Sequence, residues 1–186
     1  MVGLMLTRER TWVTDRDDQI PGADEWAGEG EEAWLVKNLF DAAVADEVKT
    51  RLGELEPQSE RRWGTMTAAQ MLAHCSVSLQ WAVGEVVPEK GPLPARMLGR
   101  VIKPLVLRND DPMRKNSPTA KSLLVAGERD FGQERERLRR LIDRFAAGGA
   151  AGCTRNPHSF FGKMTPEEWA ILMYKHLDHH LRQFGV

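Results

Sequence analysis

Thr165-Pro-Glu-Glu168 carries three helix-start signals at once. Thr165 can cap, Pro166 suits the first helical position, and Glu168 sits where a capping box needs a carboxylate. The pattern predicts a helix from about Pro166 to Gln183. Its residues Trp169, Leu172, Met173, His176, His180 and Phe184 share one face, so that face is a core face. Three of the chain's five histidines fall within five positions here. His176 and His180 are one turn apart, with Cβ atoms roughly 5–6 Å from each other. Two imidazoles so placed can bind one divalent ion, and without an ion each needs a hydrogen-bond partner. His179 is about a quarter-turn round and is expected on the polar side. A histidine pair alone is a weak signal, so a third ligand has to come from elsewhere.

Three more helices follow from the same period. The first begins at Asp41 and runs to about Leu55, with Ala43, Val44, Val48, Leu52 and Leu55 inward and Pro57 closing it. Thr67-Ala-Ala-Gln70 is a second capping box, opening a helix from Ala68 to about Val83. Met71, His74, Val77, Ser78 and Trp81 form its stripe, which places a histidine on an apolar face. The third runs from about Phe131 to Ala147, with Asp130 as cap and Gly148-Gly149 as stop. Between the second and third lies a proline-interrupted stretch, residues 84–122. It holds a short amphipathic helix from about Ala95 to Leu107, broken or bent near Pro104. Arg96, Arg100, Lys103 and Arg108 on it raise the idea of a membrane surface; its brevity and its prolines favour a covering lid or crossover. The remaining extended-looking piece is short, near Leu123 to Val125.

These elements predict an all-α chain, a four-helix bundle with an irregular crossover between the second and third helices. Residues 1–36 stand apart as an acidic, irregular extension: up to residue 35 they hold three Arg against nine Asp or Glu, although the whole chain is near neutral at −1. The bundle is expected over residues 37–186. The body's small basic excess, with no basic helix interleaved with aromatics, argues against nucleic acid. No apolar run approaches the ~20 residues that span a bilayer, and no secretory signal opens the chain. Two cysteines, Cys75 and Cys153, make neither a disulfide framework nor a zinc ribbon, so a cytoplasmic protein is expected.

In such a bundle His74 from the second helix can meet His176 and His180 from the fourth. Three protein nitrogens leave positions for water or substrate, the pattern of a catalytic rather than a closed structural site. Zinc, nickel and iron suit three imidazoles alike. Gln70, one turn before His74, is the expected orienting group for that ring. Gln183 is read as lying on the far side of His180 and Asp178 as facing away from the pair; His158 lies in a loop that can approach the site, with a surface-loop histidine the favoured reading.

Thr67-Ala-Ala-Gln-Met-Leu-Ala-His74 and His176-Leu-Asp-His-His-Leu-Arg-Gln183 resemble the motifs of the DinB/YfiT-like superfamily of metal-binding four-helix bundles. Phe160-Phe-Gly-Lys163, Thr165-Pro-Glu-Glu-Trp169 and Tyr174-Lys-His176 are similar to a small bacterial branch of it, known as a domain of unknown function. The resemblance covers about residues 37–186. It implies one divalent metal ion on His74, His176 and His180, and relatives that use a low-molecular-weight thiol or water against a small-molecule substrate. Thiol S-transferase-like or hydrolase-like chemistry is then expected, with a non-catalytic metal-binding or stress-associated module as the alternative. It also implies a homodimer, for which the sequence itself shows no interface.

Overall fold

The computed structural model describes residues 36–186; the acidic extension expected over 1–36 falls almost wholly outside them. Five α-helices follow in order: α1 (Ala42–Gly53), α2 (Ala68–Ala82), α3 (Leu93–Leu107), α4 (Phe131–Gly148) and α5 (Pro166–Phe184). Among the described residues there is no strand. The extended piece expected near Leu123 is instead a 3-10 turn, Lys121–Leu123.

The helix starts follow local chemistry. Asp41 caps α1 by accepting from the Ala43 amide, and Asp130 caps α4 through Gln133. Both capping boxes form, Thr67 with Gln70 and Thr165 with Glu168. Each such cap satisfies amides that the helix cannot, worth about 1 kcal/mol. Gly185, in the left-handed region at φ 87°, ends α5.

α2 packs on α4 and α5, and α1 packs on the same two helices. Leu39, Val48, Leu52, Leu72, Leu79, Trp81, Ile142, Phe145, Trp169 and Leu181 fill the space between them. α2 and α5 are the innermost, each with twelve buried residues. For α2 this exceeds the single stripe that the period suggested, because neighbours cover it on more than one side. One buried charge cluster locks the ends of α1 and α5 together. Asp178, nearly excluded from solvent, accepts from Arg51 at 2.8 Å and from Arg182 at 2.7 Å, while Arg51 also reaches the Val186 carbonyl.

α3 lies at the edge of that core, to which it adds Leu107 with Ile102 and Val106 packed against it; it meets α5 and the loop before α5. It continues through Pro104, whose missing N–H leaves the Arg100 carbonyl without its helical donor. Gly99 allows the approach: a Cβ there would overlap the Phe160 carbonyl oxygen. No helix among the described residues is long and apolar enough to cross a membrane.

Candidate metal centre

The capping boxes fix where α2 and α5 begin, and from there helical phase carries His74 and the His176–His180 pair to one point. The three ring centroids form a near-equilateral triangle: 4.9 Å between His74 and His176, 4.7 Å between His74 and His180, and 4.7 Å between His176 and His180. One nitrogen from each ring lies within 4.8 Å of the others. His74 Nε2 and His176 Nε2 are 2.9 Å apart. His74 and His180 are buried; His176 keeps part of its surface open.

Hydrogen bonds outside the triangle decide which nitrogens face in with lone pairs. His74 Nδ1 lies 2.8 Å from the Leu123 carbonyl oxygen, which can only accept, so Nδ1 carries the proton and Nε2 is bare. His180 Nδ1 lies 2.8 Å from Gln183 Oε1. The Gln183 amide nitrogen in turn donates to the Trp63 carbonyl at 2.7 Å, which fixes the amide's orientation. His180 Nδ1 is therefore also protonated and its Nε2 is free to coordinate. Two lone pairs thus face the third ring at close range. Neutral imidazoles in that arrangement need a cation between them, or a proton on His176 Nε2 shared with His74.

The surroundings hold these rings neutral. Burial depresses the basicity of His180, with His74 nearby adding to it, to a pKa of about 3 against the pull of Gln183. Burial likewise lowers His74, partly opposed by its bond to Leu123. His176 is pushed furthest down, first by burial and then by the neighbouring rings of His180 and His74. A metal ion requires imidazole in this neutral form.

Several expectations need correction. Gln70 does not orient His74: its carbonyl oxygen accepts from the Thr67 amide and its nitrogen donates to the Gly127 carbonyl. The capping box has already claimed that side chain. The Leu123 backbone does the orienting, and no side-chain pattern could have announced a carbonyl from a 3-10 turn. Gln183 is not on the far side of His180 but bonded to it. The three-residue spacing was the available signal, since such neighbours share a helix face. Gly64, at φ 76°, makes room for it: a Cβ there would stand 2.5 Å from the Gln183 nitrogen.

His158 is not a surface histidine either. Its Nδ1 accepts from the Phe160 and Phe161 amides, both at 3.1 Å. Its ring meets Trp81, Trp169 and Phe161, and burial drops its pKa to about 4. The turn His158–Gly162 folds it inward; a linear polarity pattern reads that loop as solvated. His179 stands outside the triangle against Trp63, and Asp178 is committed to its arginines.

The family described as "Protein of unknown function (DUF1569)" matches residues 37–185. The chain belongs to this family. No curated protein and no solved structure matches the chain. In this member of the family, the matched region contains all three converging histidines and both groups that fix their tautomers, Leu123 and Gln183.

Proposed function

We propose that this family member is a divalent-metal-dependent enzyme of the DinB-like type, in which α1, α2, α4 and α5 form the bundle and His74, His176 and His180 hold one ion. The observation that carries the proposal is the pair of fixed tautomers. Leu123 and Gln183 leave His74 and His180 with coordinating lone pairs directed at one point, beside His176. The donor set fits a borderline cation such as zinc, nickel or iron. Two nitrogens about 2.0–2.1 Å from one ion stand roughly 2.9–3.4 Å apart, a range that includes the His74–His176 separation.

A bound divalent ion favours thiolate or hydroxide near neutral pH and polarises an electrophile. The chain's own residues supply the rest. Leu123 and Gln183 hold two rings in register and keep their inner nitrogens unprotonated. The buried walls of α2 and α5 strengthen electrostatic interactions by excluding water. A low-molecular-weight thiol or water and a small electrophilic substrate, approaching beside the partly buried His176, complete the proposed site. We assign the reaction to the thiol S-transferase-like or hydrolase-like class. The free thiols Cys75 and Cys153 suit a reducing compartment, so the cytoplasm belongs to the same proposal.

Elemental analysis of the purified protein tests the ligand set, with His74→Ala and His176→Ala beside it. About one zinc, nickel or iron per chain is expected by the three-histidine stoichiometry, with loss in both variants while circular dichroism stays helical. Retention of a full equivalent of metal by either variant would remove the proposal. Metal retained on wild type with no thiol-dependent or hydrolytic turnover would support the non-catalytic module.

A further inference from the structure

α3 packs Ile102, Val106 and Leu107 on the core and, unlike the other helices, carries a second apolar stripe outward. Leu93, Met97, Leu98, Val101 and Leu105 are all exposed, Val101 at 72%. With Pro94 and Pro104 they occupy roughly 140° of the helix circumference. The only residues α3 buries are Gly99 and Leu107. Scattered exposed apolar residues are ordinary, but a contiguous stripe along a whole helix marks a contact surface.

The charges around this face indicate what it meets. From Lys90 to Arg108 the chain carries five basic residues and no acidic one. Lys103 is taken up by Glu168 on the body side. Lys90, Arg96, Arg100 and Arg108 form no ion pair among the described residues. Arg96 and Arg100 lie toward one edge of the stripe, and Arg108 closes its C-terminal end. A second copy of the chain would set this cationic rim against an identical one.

An apolar face looking outward, with cations at its margin and the body behind it, is the arrangement of a helix lying in the plane of a lipid interface. We propose that α3 is a membrane-surface helix, its Leu93–Leu105 face entering the headgroup boundary of an anionic phospholipid bilayer. Arg100, Arg108 and Lys90 contact the headgroups. The expectation of a covering lid rested on brevity and prolines. Yet α3 runs unbroken through Pro104, and while Ile102, Val106 and Leu107 face the core, its Leu93–Leu105 stripe covers nothing within the described chain.

The test is co-sedimentation of the full chain with vesicles of phosphatidylcholine, alone or mixed with phosphatidylglycerol. Binding is expected to the mixed vesicles and to weaken with added salt. Neutralising Arg100 and Arg108 together (Arg100→Gln with Arg108→Gln) should lower it on the order of twentyfold, at roughly fivefold per charge. Met97→Ser and Val101→Ser should each lower it about tenfold. Sedimentation velocity without lipid is the companion measurement, with an oligomeric state that Val101→Ser leaves unchanged expected. No binding to mixed vesicles overturns the proposal, as does binding indifferent to these substitutions. A lipid-free dimer that Val101→Ser dissociates also overturns it, because the face would then belong to a second copy.

Discussion

The α2–α5 seam and α3 are both amphipathic helical material, yet they spend their polar and apolar groups in opposite ways. The seam buries histidines, a glutamine and an aspartate, and gives them partners: Leu123 for His74, Gln183 for His180, Arg51 and Arg182 for Asp178. α3 leaves Leu93, Met97, Leu98, Val101 and Leu105 outside. The difference locates two kinds of capacity. Buried polarity is costly unless satisfied, so it persists where a specific geometry is held. Exposed apolar surface is held by nothing internal and therefore answers to a neighbour.

The sharpest contrast is in stability. Asp178→Ala would leave Arg51 only the Val186 carbonyl and a longer 3.8 Å pair with Glu47, and a loss of about 3 kcal/mol is expected in urea unfolding. Removing its half-exposed partner instead, with Arg182→Ala, should cost no more than about 1 kcal/mol. Equal costs for the two would show that the carboxylate is solvated after all. Next in size, Leu79→Ala in the seam should cost about 2–5 kcal/mol, whereas Val101→Ala on α3 should stay within about 0.5 kcal/mol in lipid-free solution. A large penalty at Val101 would mean that something covers α3 without lipid.

Gln183→Leu bears on the ordering of the metal centre. It frees His180 to turn and to change tautomer, and metal affinity should drop about 10–100-fold with the helix content retained. Gln70→Leu is the control: it weakens the α2 cap by about 1 kcal/mol and leaves metal affinity alone. A drop of the same size for Gln70→Leu would break the assignment made from the hydrogen bonds.

Acid should act through the buried imidazoles of the seam and of the turn before α5. His158 and His180 have folded pKa values of about 4 and about 3, below the ~6.5 of an unfolded histidine. Between those limits the unfolded chain binds more protons, so stability rises with pH there and falls as pH drops from about 6.5. The urea midpoint at pH 5 should lie below that at pH 7. His158→Phe should flatten the slope between those two values, the smallest effect in this set. An unchanged midpoint would mean that these rings are already protonated in the native state.

Sequence alone determined the helices and the three histidines. Capping boxes, helix stops and the 3.6-residue period are local, and they fixed α1, α2, α4 and α5 to within a residue or two at almost every end. The same period put His74 and the His176–His180 pair on core-facing stripes, because two residues a turn apart cannot avoid sharing a face. Tertiary structure alone decided the outer layer of the site. Gln70 and Gln183 each stand near a histidine in sequence, and only the fold shows one tied up in a helix cap and the other bonded to His180. The Leu123 carbonyl approaches His74 across 49 residues of chain, a contact made by backbone, which carries no residue signature. Tertiary structure likewise turned α3 outward and His158 inward. Amphipathicity states that a helix has two faces; which one meets the core depends on what else packs there, and that is a property of the assembled chain.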